Sequence, residues 1–137
     1  MDDVTTTVIE LMVLKACKQL RGRTRLQKIF FLLKRKYNIP INLEFKPYFY
    51  GPYSEELAHD IQVLRGFGIV EEKVVPVNDY VEFVYELTEK GEKLLKKLLS
   101  NDEYKELYEK ISKYVEQYKD ISLKDLVYEA KSLHNIF

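Results

Sequence analysis

The chain has one cysteine, two histidines and five glycines, and its 22 basic residues are cancelled by 22 acidic ones. Each scarcity excludes something. Cys17 has no partner for an internal disulfide and no companions for a thiolate metal cluster, which fits a reducing compartment. It falls beside Val13, Ala16 and Leu20 on the apolar face of an expected helix, where a thiol packs as a small hydrophobe. His59 and His134 stand too far apart for a metal-binding motif, so neither a metal nor a catalytic histidine is expected. The glycines are scattered at turns rather than gathered into a phosphate cradle, and no nucleophile–base or carboxylate pair stands out. The expectation is a protein with no catalytic residues and no cofactor. No run approaches the roughly 18 apolar residues of a membrane span. The chain also opens Met1-Asp2-Asp3 without a basic leader, which predicts a cytoplasmic protein that makes no use of a membrane.

What is present is the balance of a folded domain. Apolar residues make up 46% of the 137 and charged residues 32%, enough for one domain with a real core and too little chain for two comfortable ones. The zero net charge conceals a strong polarity. From Leu11 to Leu43 there are nine basic residues (Lys15, Lys18, Arg21, Arg23, Arg25, Lys28, Lys34, Arg35 and Lys36) and no acidic one, so that segment carries +9 and the other 104 residues carry −9. A segregated cationic block of this kind predicts a basic surface available to phosphates.

Hydrophobic periodicity and capping signals divide the chain. Thr7 and Glu10 have capping-box spacing ahead of an apolar face that predicts a helix over residues 8–20. Arg21-Gly22-Arg23 breaks it, and Thr24 with Gln27 makes a second capping box for a helix ending before Pro40, with Leu26, Ile29, Phe30, Leu33 and Tyr37 inward. On the opposite side Arg25, Lys28, Leu32 and Arg35 share a stripe, the most basic surface the pattern yields. Residues 41–50 alternate as a short strand before Gly51-Pro52 turns the chain. Ser54 caps a third helix whose apolar stripe is Leu57, Ala58, Ile61 and Leu64. Residues 69–75 and 80–87 then read as a hairpin around Asn78 and Asp79. Thr88-Glu89-Lys90-Gly91 opens a helix with Leu94, Leu95, Leu98 and Leu99. Two more amphipathic helices follow, over residues 102–118 and after Ser122. The expected fold is α+β and mostly α: a winged helix-turn-helix of three helices plus a two-stranded wing over residues 1–99, with a helical extension over 100–137 packed on the same domain.

Two phrases carry a resemblance. Arg23-Thr24-Arg25-Leu26-Gln27-Lys28-Ile29-Phe30-Phe31, followed by Tyr50-Gly51-Pro52-Tyr53-Ser54-Glu55-Glu56-Leu57, is similar to uncharacterised archaeal and bacterial winged-helix proteins related to the Panacea antitoxin-like domain. Tyr85-Glu86-Leu87-Thr88-Glu89-Lys90-Gly91 likewise resembles the wing exit of many winged-helix regulators. The first resemblance spans residues 8–92. It implies a winged-helix fold, no general enzymatic activity and, for the Panacea relatives, a part in toxin neutralisation. It supplies scaffold positions and no binding residues.

Two functions compete at this stage. In the first the chain is a DNA-binding or regulatory protein contacting the phosphate backbone through Arg21, Arg23, Arg25, Lys28, Arg35 and Lys36, with the hairpin around Asn78 as a wing contact. Major-groove readout by the third helix is disfavoured, because Glu55, Glu56 and Asp60 would face phosphate. In the second it is an antitoxin-like protein-interaction module that holds a toxin-like protein partner and needs no nucleic acid. The partner is held either by the C-terminal helices or by a ledge of Tyr48, Tyr50 and Tyr53, with Phe49, stiffened by Pro47 and Pro52, although core packing would claim at least half of these rings. A homodimer through the C-terminal helices, with their Tyr-rich stretch at 102–118, is a third and weaker alternative.

Overall fold

A computed structural model describes residues 3–134. The order of elements is α1 (Asp3–Cys17), β1 (Leu20–Arg21), α2 (Arg23–Arg35), α3 (Glu55–Gly66), β2 (Val70–Val77), β3 (Tyr80–Leu87), α4 (Glu89–Leu98), α5 (Asp102–Val115) and α6 (Leu123–His134). The fold is α+β and mostly helical. Its one sheet has strand order β1-β3-β2, antiparallel throughout, with Leu20 opposite Tyr85 and Val70 opposite Leu87.

The two central helices are buried around most of their circumference, which places them inside the molecule. In α1 Val8, Ile9, Leu11, Met12, Val13, Leu14 and Cys17 are all buried. In α2 eight successive residues, Leu26 to Leu33, are buried. The basic stripe expected along α2 therefore does not exist as a surface: Leu32 and Lys28 lie in the interior with the residues meant to oppose them. The cover comes from later in the chain, where α5 packs along α1, α6 along α2, and α4 and β3 against α1. Ile111, Val115, Leu126 and Ala130 join the same core cluster as α1 and α2, so the last two helices are part of one hydrophobic unit.

Local signals succeeded where the side chain had no better partner. Ser54 caps α3 by accepting from the Leu57 amide at 3.1 Å, Thr88 caps α4 through the Gly91 amide at 3.0 Å, and Ser122 accepts from Asp125 at 3.1 Å. The hairpin closes through Asn78-Asp79, with Asn78 at the positive φ of 52° that such tight turns need. Pro76 is tolerated because β2 is an edge strand. Two expected capping boxes are absent. Helix α1 begins at Asp3, inside which Thr6 accepts from the Asn42 amide at 2.8 Å and Glu10 is buried. Helix α2 is entered through Gly22, with no side-chain cap, and Gln27 reaches elsewhere.

The strand expected over 41–50 also fails to form, for an identifiable reason. Its alternation is right, with Ile41 and Leu43 buried and Asn42 and Glu44 exposed. Its backbone groups, however, are satisfied by side chains: Thr6 on the Asn42 amide, Glu56 on the Glu44 amide at 2.8 Å, and the Lys34 ammonium on the Leu43 carbonyl. Only the Lys46–Tyr53 bridge, at 2.9 Å in each direction, pairs as a strand would.

Candidate functional site

The two resembling phrases hold each other. Gln27 Nε2 donates to the Ser54 carbonyl at 2.9 Å, while Gln27 Oε1 accepts from the Ser54 amide at 2.7 Å. One turn of side chain away, the Lys28 ammonium donates to the Pro52 carbonyl at 2.8 Å. A glutamine supplies a donor and an acceptor in one plane, the pair needed to grip both polar groups of one backbone residue, and a lysine stem spans the remaining distance. This clasp fixes the entry to α3, with Gly51 buried and residues 48–50 turned outward.

Lys28, expected to meet phosphate, is thus 2% exposed with its charge committed inward. Burial, with Lys131 nearby, pulls its pKa down to about 8. The other cations proposed for nucleic acid go in different directions. Arg21 pairs with Glu82 at 2.9 Å. Arg23 lies 3.7 Å above the Phe83 ring, donates to the Tyr85 hydroxyl at 3.3 Å and stands 3.9 Å from Glu72, a carboxylate it shares with Arg65. Arg25 donates to the Tyr118 carbonyl at 3.1 Å, and Arg35 sits over the Phe31 ring at 5.4 Å. Lys36 pairs with Glu129 at 2.7 Å and donates to the Tyr118 hydroxyl at 3.2 Å. Outside that set, Lys15 pairs with Glu92 at 2.6 Å. The block contiguous in sequence is therefore spread around the molecule, and Lys15, Arg21, Arg23 and Lys36 each have a carboxylate from beyond residue 71.

The aromatic ledge does form. Tyr48, Phe49 and Tyr50 are 61%, 83% and 66% exposed, and Tyr53 is half-buried. Core packing does not claim them, contrary to expectation. Tyr48 stacks on Tyr53 with centroids 5.1 Å apart and meets the edge of Phe49 at 5.5 Å, so the rings brace one another. Beside Tyr48 and Tyr53 opens a cleft of about 200 Å³ edged by Glu44, Lys46, Glu55 and Glu56.

Two buried groups complete the chemistry. Glu10 is fully buried, with no donor on either carboxylate oxygen. Burial first, then the Asp60 carboxyl beside it, pushes its pKa up to about 10, so it is a neutral acid at pH 7. The only hint in the sequence is a glutamate inside the apolar run Val8-Ile9-Glu10-Leu11-Met12. Cys17 is buried and its thiol is pushed up to about 12, chiefly by desolvation, which is the inert packing residue expected. Among the described residues no group of His, Cys, Asp and Glu side chains is placed to hold a metal ion, and no helix is long and apolar enough to cross a membrane. Tyr104, Tyr108 and Tyr114, which the dimer alternative would use, pack against the chain's own core.

Against known proteins, no family model matches the chain. It is 38% identical over 74 residues to the uncharacterized protein YwgA of Bacillus subtilis strain 168, a stretch that covers 54% of this chain and 44% of that protein.

Proposed function

We propose that this chain is a winged-helix protein that acts by binding a protein partner through the aromatic ledge at residues 48–53. Three helices followed by a hairpin, with β1 pairing to β3, are the elements that support the winged-helix reading. The observation that carries the binding reading is the clasp of Gln27 and Lys28 on Ser54 and Pro52, which holds three large exposed rings on a fixed turn. Rigid aromatic anchors are what protein hot spots are made of, because they lose little conformational entropy on binding.

Phosphate binding by the basic block has less to work with. Affinity for duplex DNA grows with the number of cations free to displace counterions, and most of these are engaged within the molecule. The exposed side of α3 begins with Glu55 and Glu56, and Arg65 is held by Gln62 and Glu72.

The test is purification of the tagged full chain from its native host, beside a Phe49→Ala/Tyr50→Ala variant. A stoichiometric protein retained by the first and lost by the second is the expected result. Steeply salt-dependent duplex binding that the variant keeps, with no protein partner, would overturn the proposal.

A further inference from the structure

The ledge is flanked by opposite charges. On one side the cleft beside Tyr48 and Tyr53 is edged by three carboxylates, Glu44, Glu55 and Glu56, and one cation, Lys46. On the other, the turn at Gly51 rests on two lysines: a side chain added at Gly51 would meet Lys131 Cγ at 3.2 Å and Lys28 Cε at 3.4 Å. Arg35 and His134 lie close by, both against Phe31, the arginine over its face and the imidazole at its edge 5.5 Å away. Among the described residues neither Lys28 nor Lys131 has a carboxylate within ion-pair distance. Their mutual repulsion is felt locally: burial, then Arg35 and Lys28, holds His134 below the usual histidine range, as burial and Lys131 hold Lys28 down. Lys131 and Lys28 thus place positive charge, with no paired carboxylate among the described residues, directly beside the ledge.

Resting on the reading of the ledge as a partner site, we infer that its partner is a mixed-charge peptide segment: an apolar centre on Tyr48, Phe49 and Tyr50, a carboxylate beside Lys131 and Lys28, and a basic or neutral residue toward Glu44, Glu55 and Glu56. The acidic flank decides between peptide and nucleic acid. A single strand stacking its bases on the ledge carries phosphates in both directions and meets repulsion at Glu55 and Glu56, whereas a short peptide needs one acid at one end. Lys131 is the exposed contact. Lys28, buried beneath it, contributes charge without touching the ligand.

The probe is a random dodecapeptide phage library selected on the immobilised full-length chain, on Lys131→Glu and on Phe49→Ala. Lys131 is exposed on α6, so its replacement leaves the core untouched. The expected result is enrichment on the wild type of peptides with an aromatic or aliphatic pair followed or preceded by Asp or Glu. On Lys131→Glu that acidic preference is lost, and the selected peptides bind this variant at least fivefold more weakly than the wild type. Peptides lost by Phe49→Ala yet free of acidic preference, or unaffected by Lys131→Glu, would overturn the charge pattern and leave the ledge standing. Peptides indifferent to Phe49→Ala would overturn both. An oligothymidine that displaces the selected peptides and itself depends on Lys131 would overturn the peptide in favour of nucleic acid.

Discussion

Glu10→Gln should make this protein less sensitive to alkaline pH. In the folded chain the Glu10 carboxyl lies at zero exposure with only another carboxyl, that of Asp60, beside it, and its pKa rises from 4.5 to about 10. Unfolded, it returns to the ordinary range. Between those two values the folded state holds a proton that the unfolded state has released, so stability is fully present below the unfolded value and declines as pH rises toward the folded one. Each pH unit in that window costs about 1.4 kcal/mol, so going from about pH 5 to about pH 8 would remove up to about 4 kcal/mol, or about 2 kcal/mol if the site relaxes and admits water. Glutamine keeps the shape but has no proton to lose. Urea midpoints for both proteins across that range isolate the effect, because every other titrating group is common to both. The difference between the curves should widen with pH in the variant's favour, and an infrared band of a protonated carboxyl should vanish with the substitution. Parallel midpoint curves would show that Glu10 titrates alike in both states and would refute the argument.

Two further substitutions probe what the sequence phrases do. A Cβ at Gly91 would stand 2.3 Å from the Ile69 carbonyl oxygen, so Gly91→Ala should lower stability by about 2–3 kcal/mol in a thermal melt, and an unchanged melting temperature would refute the close approach. Gln27→Ala leaves the Ser54 amide and carbonyl without their partners, at a cost of about 2–4 kcal/mol, and should speed amide exchange at Ser54 ahead of global unfolding; unchanged exchange there would show that the clasp does not hold the turn.

What was legible in the sequence is what is decided locally. Ser54, Thr88, Ser122 and Asn78 act on neighbours three or fewer residues away, and pattern reading placed them correctly. Gln27 carried an equally good local signal, yet Ser54 offers it both a donor and an acceptor in a buried setting, a stronger arrangement than one cap at an exposed helix start. Strand β1, two residues long, has no local signal at all and exists because Tyr85 and Val84 lie opposite it. Leu43 and its neighbours keep a strand's alternation without a sheet, since alternation reports which side is buried and says nothing of where the backbone finds its hydrogen bonds.

The basic block shows why charge read along a chain misleads about surface. The inference from +9 between Leu11 and Leu43 to a phosphate-binding face assumes that this stretch is a face. Its middle is instead interior, because α5 and α6, whose apolar stripes are separate from it in sequence, close over α1 and α2. Acids then arrive with the covering elements: Glu92 reaches Lys15 across 77 positions, and Glu129 reaches Lys36 across 93. A buried lysine survives without such a partner only where its stem lies along apolar surface and its head meets an oxygen, as Lys28 does at Pro52. Of the nine cations, carboxylates from beyond residue 71 reach Lys15, Arg21, Arg23 and Lys36. Lys131, exposed beside Gly51 and next to the rings of the ledge, has no carboxylate within ion-pair distance among the described residues, and a substitution there tests the charge pattern without disturbing the residues that hold the fold together.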